Sequence, residues 1–416
     1  MKKFVVAGPS TYGVKNAGDD AMLRNLVDGL RGHFPDSDII LLARHPDPDF
    51  DREFGVHSIK NVDHDSKRES RGRWFRGFNA GDPTDHLASI RHAIEECDLL
   101  IIGGNSFMEI SANEFLRGVA SYVALLVEWA KFLQTPYMLY GVEAHPISDP
   151  MTRQLTRFIV DNSELVTVRE HASREQLLKA GADDRRIKVL ADPAFGLQPA
   201  RDRKLAMDLL RSEGITFRSD HVVGIGFRHM YWQWGPTETE QYTRKMAALC
   251  DSVIDRTGAD LLFIPNCTYD VDTQNEDDRV MARAIRREMK NPRRTFLIEG
   301  DYLLSKTLAF YTVLDAFISN RRHACIFAAL HEVPFVALST GYMWHFTPFV
   351  EALSMPNQAI NFIDEPLDAL GACVERTWED RRALSRTLAS ALPELRTRAH
   401  QHTVGIANLV NGGGAA

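Results

Sequence analysis

The chain contains few cysteines for its 416 residues, and no two of them lie close together in the sequence. The positions are Cys97, Cys250, Cys267, Cys325 and Cys373. An odd, widely spaced set excludes a disulfide framework, and the spacings match neither a metal site nor a redox motif. We therefore expect a protein of a reducing compartment, with no metal site built on cysteine.

Long apolar runs are also missing. The longest, residues 119–133, contains Glu128 and Lys131 and falls short of the ~18 residues that a membrane span requires. At the amino terminus, the apolar run after Lys2 and Lys3 is too short for the core of a signal peptide. These absences predict a soluble, cytoplasmic protein whose only membrane contact would be peripheral, at the inner face.

The chain has no excess of positive charge, since 49 basic and 56 acidic residues leave a net charge of −7. Such a balance disfavours a nucleic-acid partner but permits a local basic pocket for a small anion. A hydrophobic fraction of 44% and a charged fraction of 25% are ordinary for globular proteins and exclude a mainly disordered chain.

What the sequence does contain is a repeated alternation of short apolar runs with longer amphipathic stretches. The predicted strands are 4–7, 38–42, 99–102, 137–140, 165–168 and 187–190 in the first half, and 222–226, 261–265, 295–298, 316–319 and 335–338 in the second. Alternation of this kind predicts an α/β fold with two parallel sheets, each built from βαβ units.

The alternation pauses once, which predicts where the domains divide. We expect an amino-terminal Rossmann-like domain over 1–195, a linker over 196–219, a second Rossmann-like domain over 220–377, and a helical segment with a flexible tail over 378–416.

One segment interrupts the rhythm of the first half. Residues 64–79 carry five basic side chains with aromatic residues between them. The segment is either a solvated loop, a mobile flap over an anionic substrate, or a contact with an anionic membrane surface.

Ligands of open parallel sheets bind beyond the carboxyl ends of the strands, so residues that follow a strand are candidate site residues. In the first half, Asn16 and Asp19 occupy a turn that leads into a helix, where they either contact a ligand or cap the helix. Gly103, Gly104 and Asn105 follow the strand at 99–102, where glycines permit close approach of a ligand or tight packing.

Two titratable side chains follow the strand at 137–140. Glu143 and His145 are candidates for general acid–base work on a substrate hydroxyl. The alternative is that either one is an ordinary loop residue.

The second half carries the sharper pattern, with arginines after two strands. Arg228 ends one strand and is followed by aromatic residues that include Trp232, a candidate for stacking on a sugar ring. Arg321, Arg322 and His323 end another strand and open a helix. Guanidinium groups beside a helix amino terminus predict a site for a phosphate or carboxylate, whereas the alternative is surface pairing with acidic residues.

These motifs, taken in order, resemble those of the polysaccharide pyruvyl transferase family over nearly the whole chain. The matching pieces are Asn16-x-Gly18-Asp19, 98–104, 141–147, 168–170, 191–193, Phe227-Arg228, Ile264-Pro265 and Ser319-x-Arg321-x-His323-Ala324. The chain departs from the family at Asn105, at His145, and after 335–338, where the usual lysine is missing.

The resemblance implies a fold similar to GT-B glycosyltransferases, with two Rossmann-like domains facing across a cleft and a carboxyl-terminal helix that crosses back to the first domain. It further implies transfer of the enolpyruvyl unit of phosphoenolpyruvate (PEP) to the hydroxyls of a saccharide as a ketal, without a metal or other cofactor. Arg228, Arg321 and His323 would then bind PEP in the second domain, and the first domain would hold the acceptor.

In such a reaction His323 would protonate PEP, and Asp19, Glu143 or His145 would act as base toward the acceptor hydroxyl. The partners implied are PEP and a saccharide, free or linked to a lipid or nucleotide, and a second copy of the chain. Two alternatives remain: a nucleotide-sugar glycosyltransferase of GT-B type, and a non-catalytic protein that binds anions or glycans.

Overall fold

The structure is a computed structural model. It describes residues 1–8, 15–62, 86–104, 106–107, 119–230, 233–268, 277–341 and 343–412. Asn105, Trp232 and the basic segment 64–79 lie outside the described residues. The chain forms two compact units, the first made of 1–14, 19–196 and 396–416, the second of 15–18 and 197–395.

The first unit is built on a parallel sheet. Its strands are β1 (Lys3–Ala7), β2 (Asp38–Ala43), β3 (His57–Lys60), β4 (Leu99–Gly103), β5 (Ser106–Phe107), β6 (Tyr137–Ala144), β7 (Leu165–Val168) and β8 (Ile187–Val189). They lie in the order β3-β2-β1-β4-β6-β7-β8, and β5 pairs with β6. Strands β4 and β6 are buried along their whole length, which is why their sequences are continuous apolar runs.

Helices cover this sheet and close its core. They are α1 (Ala17–His33), α2 (Pro48–Phe54), α3 (His86–Glu96), α4 (Val119–Phe132), α5 (Pro150–Asp161) and α6 (His171–Lys179). The buried aliphatic face of α4 packs in one cluster with side chains of β4 and β6. Such burial is the main stabilising term of this unit.

The second unit repeats the architecture. Its strands are β9 (Val222–Gly226), β10 (Asp260–Phe263), β11 (Thr295–Leu297), β12 (Ala316–Ser319), β13 (Phe335–Ser339) and β14 (Ala359–Asn361). Their order is β11-β10-β9-β12-β13-β14, all parallel, which is the doubly wound arrangement of Rossmann folds. The helices are α7 (Arg203–Ser212), α8 (Pro236–Thr257), α9 (Asp278–Glu288), α10 (Leu304–Ala309), α11 (Arg322–Leu330), α12 (Met343–Ala352) and α13 (Leu367–Glu379).

The last helix, α14 (Arg381–Gly412), begins in the second unit, and its residues from Arg396 onward belong to the first. Its buried His402 fixes it there. The ring donates through Nε2 to the carbonyl of Ala191 at 2.8 Å, and Nδ1 lies 2.7 Å from the Thr167 hydroxyl. Since a carbonyl only accepts, His402 is the neutral tautomer protonated at Nε2.

This histidine makes the first unit sensitive to acid. Burial lowers the pKa of His402 from 6.5 to about 4. Between those values the unfolded chain binds a proton that the folded chain does not, so stability falls as the pH drops through this window. We expect His402→Gln to remove about 2–3 kcal/mol of the difference in unfolding free energy between pH 7 and pH 4.5, measured by urea titration.

The matched control is His33→Gln, which changes an exposed histidine at the end of α1. It should leave the pH dependence as in the wild type. Equal pH profiles for wild type and His402→Gln would contradict the assignment of a neutral buried ring.

The α/β fold class with two parallel sheets is confirmed, and the strands predicted at 165–168, 222–226 and 316–319 agree with the structure to the residue. The short strands β3, β5 and β14 were not predicted, because strands of 2–4 residues are too short to show a periodic pattern of apolar side chains in the sequence. Residues 197–219, which belong to the predicted linker, lie in the second unit and contain α7.

Within the described part of the chain, every helix is too short or too polar to cross a bilayer.

Candidate functional site

The crevice of the second sheet lies between β9 and β12, where the strand order reverses. The two loops that follow these strands are tied together there. The backbone N–H of Arg228 donates to Asn320 Oδ1 at 2.8 Å, and Asn320 Nδ2 donates back to the Arg228 carbonyl at 3.1 Å. Ser319 Oγ donates to the Gly226 carbonyl at 2.5 Å. The predicted site residues after both strands therefore lie at one edge of the sheet, where such folds bind ligands.

The guanidinium of Arg321 is held by a buried carboxylate. Its Nε and Nη2 lie 3.1 and 2.5 Å from Asp278 Oδ1, and both side chains are over 90% buried. Arg321 is therefore part of the buried structure of the second unit, and the pairing with an acidic residue that the sequence left open is a buried pair and not a surface one. An arginine buried against an acid also stabilises the fold, because its loss would leave a buried charge without its partner.

Asp278 organises more than this one arginine. Its Oδ2 accepts the backbone N–H groups of Asn266 at 2.9 Å and of Cys267 at 3.1 Å. Burial raises the pKa of the Asp278 carboxyl, an effect that Arg321 and, more weakly, Arg228 oppose. One carboxylate thus fixes the loop after β10 and pairs with Arg321, and the charge of Arg228 also favours its ionised form.

The same loop holds the segment 15–18, which leads into α1. The backbone N–H of Ala17 donates to the Asn266 carbonyl at 2.8 Å, and Asn16 forms a β-bridge with Cys267. Lys15 Nζ pairs with Asp301 at 2.9 Å. The predicted site residue Asn16 therefore belongs to the second unit, where its side chain accepts the Gly18 N–H at 3.2 Å.

His323 lies directly against Gly18. A β-carbon built on Gly18 would come within 2.4 Å of His323 Nδ1 and 2.8 Å of Cγ, closer than real contacts allow. Both residues are in the first turn of a helix, His323 in α11 and Gly18 in α1. Amino-terminal helix turns favour negative charge nearby, so the imidazole stands in a setting suited to an anion.

Arg322, the remaining predicted basic residue, is 6% exposed, and its guanidinium lies 5.8 Å from the ring centre of Phe349. This cation–π geometry contributes to packing within the second unit. Arg228, by comparison, is only half-buried.

In the first unit, Glu143 lies at the carboxyl end of β6 and is 3% exposed. A register shift between Leu139 and Val142 interrupts the strand just before it, and Gly141 there has a φ of +59°. Bulges of this kind re-aim the side chains that follow. A β-carbon at Gly141 would lie 2.4 Å from Pro193 Cγ. Only glycine therefore fits here, both because a side chain would clash and because the positive φ disfavours other residues.

Arg169 is the charge partner of Glu143. Its Nη1 lies 3.7 Å from Glu143 Oε2 and 3.3 Å from Asp192 Oδ2, while Nε donates to the Gly141 carbonyl at 2.8 Å. All three charged side chains are buried. A guanidinium shared between two carboxylates and a bulge carbonyl fixes the direction of Glu143.

His145 Nε2 lies 3.9 Å from Glu143 Oε2, so the structure brings these two predicted residues together. The predicted glycines are nearby, since the Gly104 carbonyl accepts from Arg169 Nη2 at 3.4 Å. Asp19 lies in the first turn of α1, also in the first unit.

Sequence reasoning missed Asp278 and gave Arg169, Asp192 and Asn320 no role of their own. Asp278 follows Asp277 at the start of a helix, a pattern typical of ordinary helix capping. Its contact with Arg321 spans 43 residues and cannot be predicted from spacing. Among the residues described, no cluster of histidine, cysteine and carboxylate groups could hold a metal ion.

Comparison with known proteins places these features in a family. The family model of polysaccharide pyruvyl transferases matches residues 16–342. A curated relative, the amylovoran biosynthesis protein AmsJ of Erwinia amylovora, is 22% identical over 378 residues, which are 81% of this chain and 83% of that protein.

Solved structures share the fold at low sequence identity. A glycosyltransferase from Rickettsia africae superposes with a TM-score of 0.62 at 11% identity, covering 99% of this chain and 100% of the other. A UDP-GlcNAc 2-epimerase from Neisseria meningitidis, bound to UDP-GlcNAc, gives 0.62 at 10% identity with the same coverage. Anabaena HepE with UDP and glucose gives 0.59 at 13% identity, again covering 99% and 100%. These likenesses establish a GT-B-like α/β fold.

Proposed function

Because the chain belongs to the polysaccharide pyruvyl transferase family, we propose that it transfers the pyruvyl unit of PEP to hydroxyls of a saccharide as a ketal. The relative that takes part in amylovoran biosynthesis agrees with a role in polysaccharide assembly. A lipid- or nucleotide-linked saccharide would be the acceptor.

The observation that carries the proposal is the basic crevice of the second unit. Arg228 and Arg321 follow neighbouring strands at the carboxyl edge of the sheet, Asn320 joins their two loops, and His323 lies in the first turn of α11. PEP carries a phosphate and a carboxylate, and guanidinium groups and helix amino termini bind both kinds of group.

His323 would supply the proton. Ketal formation needs a proton at the methylene carbon of PEP, which makes C2 electrophilic toward a sugar hydroxyl. Phosphate then leaves, the arginines stabilise its charge, and a second hydroxyl closes the ring. A positioned imidazole of this kind contributes roughly 10²–10⁴-fold to the rate.

Glu143 is our first candidate for the base toward the acceptor hydroxyl, because the Arg169 guanidinium lies 3.7 Å from its carboxylate and His145 lies 3.9 Å away. Asp19, in the first turn of α1, is the other carboxylate that would serve the acceptor hydroxyl.

The test begins with binding. Calorimetry on the full chain should show binding of PEP, and Arg228→Gln should weaken it at least tenfold, because a charge-assisted hydrogen bond is lost. The matched control is Arg244→Gln, which removes an exposed arginine paired with Glu240 on α8 and should bind PEP as the wild type does.

Turnover should be tested on a panel of lipid-linked and nucleotide-linked saccharides, with release of phosphate from PEP as the signal. Tight binding of UDP or a UDP-sugar, together with no binding of PEP, would overturn the proposal. It would favour a nucleotide-sugar glycosyltransferase on the same fold.

We expect the reaction to need no metal ion. The arginines and helix amino terminus would neutralise the phosphate, so kcat with PEP should be unchanged after dialysis against EDTA. Loss of activity that a divalent ion restores would show that the arginines are insufficient for this role.

A further inference from the structure

Segment 15–18, which leads into α1, is attached to the loop after β10 along its length. Besides the contacts of Asn16 and Ala17 described above, the Lys15 carbonyl accepts the backbone N–H of Thr268 at 3.3 Å. All residues of the segment belong to the second unit. The path of the chain into α1 is therefore fixed by backbone contacts within that unit.

The backbone of Lys15 is left-handed, with a φ of +54°. A β-carbon makes this conformation unfavourable, whereas glycine adopts it freely. Three other described non-glycine residues have a positive φ, and each lies two positions after the last residue of a helix: Gln134 after α4, Glu332 after α11 and Ser354 after α12. Helices commonly end on such a residue. Lys15 precedes a helix instead, so its conformation must be imposed by its surroundings.

The side chain of Lys15 supplies one such constraint, because its Nζ lies 2.9 Å from Asp301 Oδ2. Burial acts to raise the pKa of Asp301, but hydrogen bonds from Lys15 and Thr268 outweigh it and bring the pKa below its ordinary value. The carboxylate is therefore ionised at neutral pH and attracts the lysine. An exposed ion pair is usually weak, so its importance here lies in opposing the strain of the backbone that carries it.

The position of this segment reaches His323 through Gly18. Asn16 Oδ1 accepts the Gly18 N–H at 3.2 Å, so Gly18 is tied to the residues before it. The imidazole of His323 lies so close to Gly18 that no β-carbon fits between them. In such close packing, a shift of the segment would either press on the ring or open a gap beside it. The orientation of His323 therefore depends on the backbone at Lys15.

We propose that Lys15 is a positioning residue for His323. Its ion pair with Asp301 holds segment 15–18 in the left-handed entry to α1, and Gly18 in turn holds the imidazole in one orientation. The consequence for PEP turnover rests on the proposed function. The consequence for the imidazole itself does not, so the two can be measured separately.

The test compares Lys15→Ala with Lys15→Gly in the full-length protein. Both substitutions remove the ion pair, but glycine keeps a positive φ without strain and alanine does not. Lys15→Ala should therefore release the segment and shift the imidazole resonances of His323 in an NMR spectrum of isotope-labelled histidine. It should also lower kcat with PEP about tenfold, because the imidazole is misplaced.

Lys15→Gly should keep the His323 resonances where they are in the wild type, with kcat within about twofold of the wild type. A spectrum of His323→Gln identifies the resonances. This order is the reverse of what a simple ion pair predicts, since its loss would affect both variants alike.

Glu332→Ala is the matched control. Glu332 also has a positive φ, of +58°, and it also forms an ion pair, with Arg201 at 2.6 Å. It follows the carboxyl end of α11, whereas His323 lies in the first turn of that helix. The substitution should lower the melting temperature about as much as Lys15→Ala does. It should leave the His323 resonances and kcat as in the wild type.

Three results would overturn the proposal. One is unchanged His323 resonances in Lys15→Ala, which would make Lys15 an ordinary surface ion pair. The second is an equal shift in Lys15→Ala and Lys15→Gly, which would show that backbone strain has no part in it. The third is an equal shift in Glu332→Ala. The expected resonance pattern in a protein that does not turn over PEP would support the positioning role and overturn the proposed function instead.

Discussion

Gly18→Ala should lower kcat/KM for PEP by roughly 100-fold, because it displaces His323. The added β-carbon would lie 2.4 Å from Nδ1, 2.8 Å from Cγ and 3.0 Å from Cβ of His323. Rotation of the imidazole about the Cβ–Cγ bond leaves both of those atoms in place and cannot relieve the clash. The whole side chain or the backbone must therefore move. Misplacement of a catalytic group by about 1 Å costs on the order of 10²-fold. The assay is phosphate release with the best acceptor of the saccharide panel.

Gly32→Ala provides a matched control in the same helix. Nothing lies within 4 Å of a β-carbon at Gly32. Alanine is the better helix former by about 1 kcal/mol, so this variant should be as active as wild type and melt slightly higher. Wild-type kinetics in Gly18→Ala would remove His323 from the reaction, because the steric effect does not depend on which substrate is bound.

Asp278→Asn should destabilise the second unit by about 3–5 kcal/mol, because it leaves the Arg321 guanidinium buried without a counter-charge. The amide also presents N–H donors where the carboxylate accepts from Asn266 and Cys267. Urea unfolding measures the loss. Asp208→Asn is the control, since Asp208 forms an exposed pair with Arg211 that is worth at most about 1 kcal/mol.

A double variant separates the ion pair from general damage. Asp278→Asn combined with Arg321→Met removes both buried charges, so it should be more stable than the sum of the two single losses predicts. Strictly additive losses would show that the two side chains contribute independently, and Arg321 would then owe its position to other contacts.

Local sequence pattern determined the elements of this protein and the edges at which its polar residues lie. Buried parallel strands such as β4 and β12 are continuous apolar runs, so their positions and the residues after them could be read directly. Arg228, Arg321 and His323 were predicted at one edge for that reason. The alternation of strands and helices likewise determined the fold class, because few architectures bury such elements.

Tertiary structure alone decided what those residues contact. Three contacts join residues that are distant in the chain. Arg321 and Asp278 are 43 residues apart, Gly18 and His323 are 305 apart, and Arg169 and Glu143 are 26 apart. A spacing rule reaches only along one helix or one strand pair, whereas these contacts depend on how loops after different strands converge.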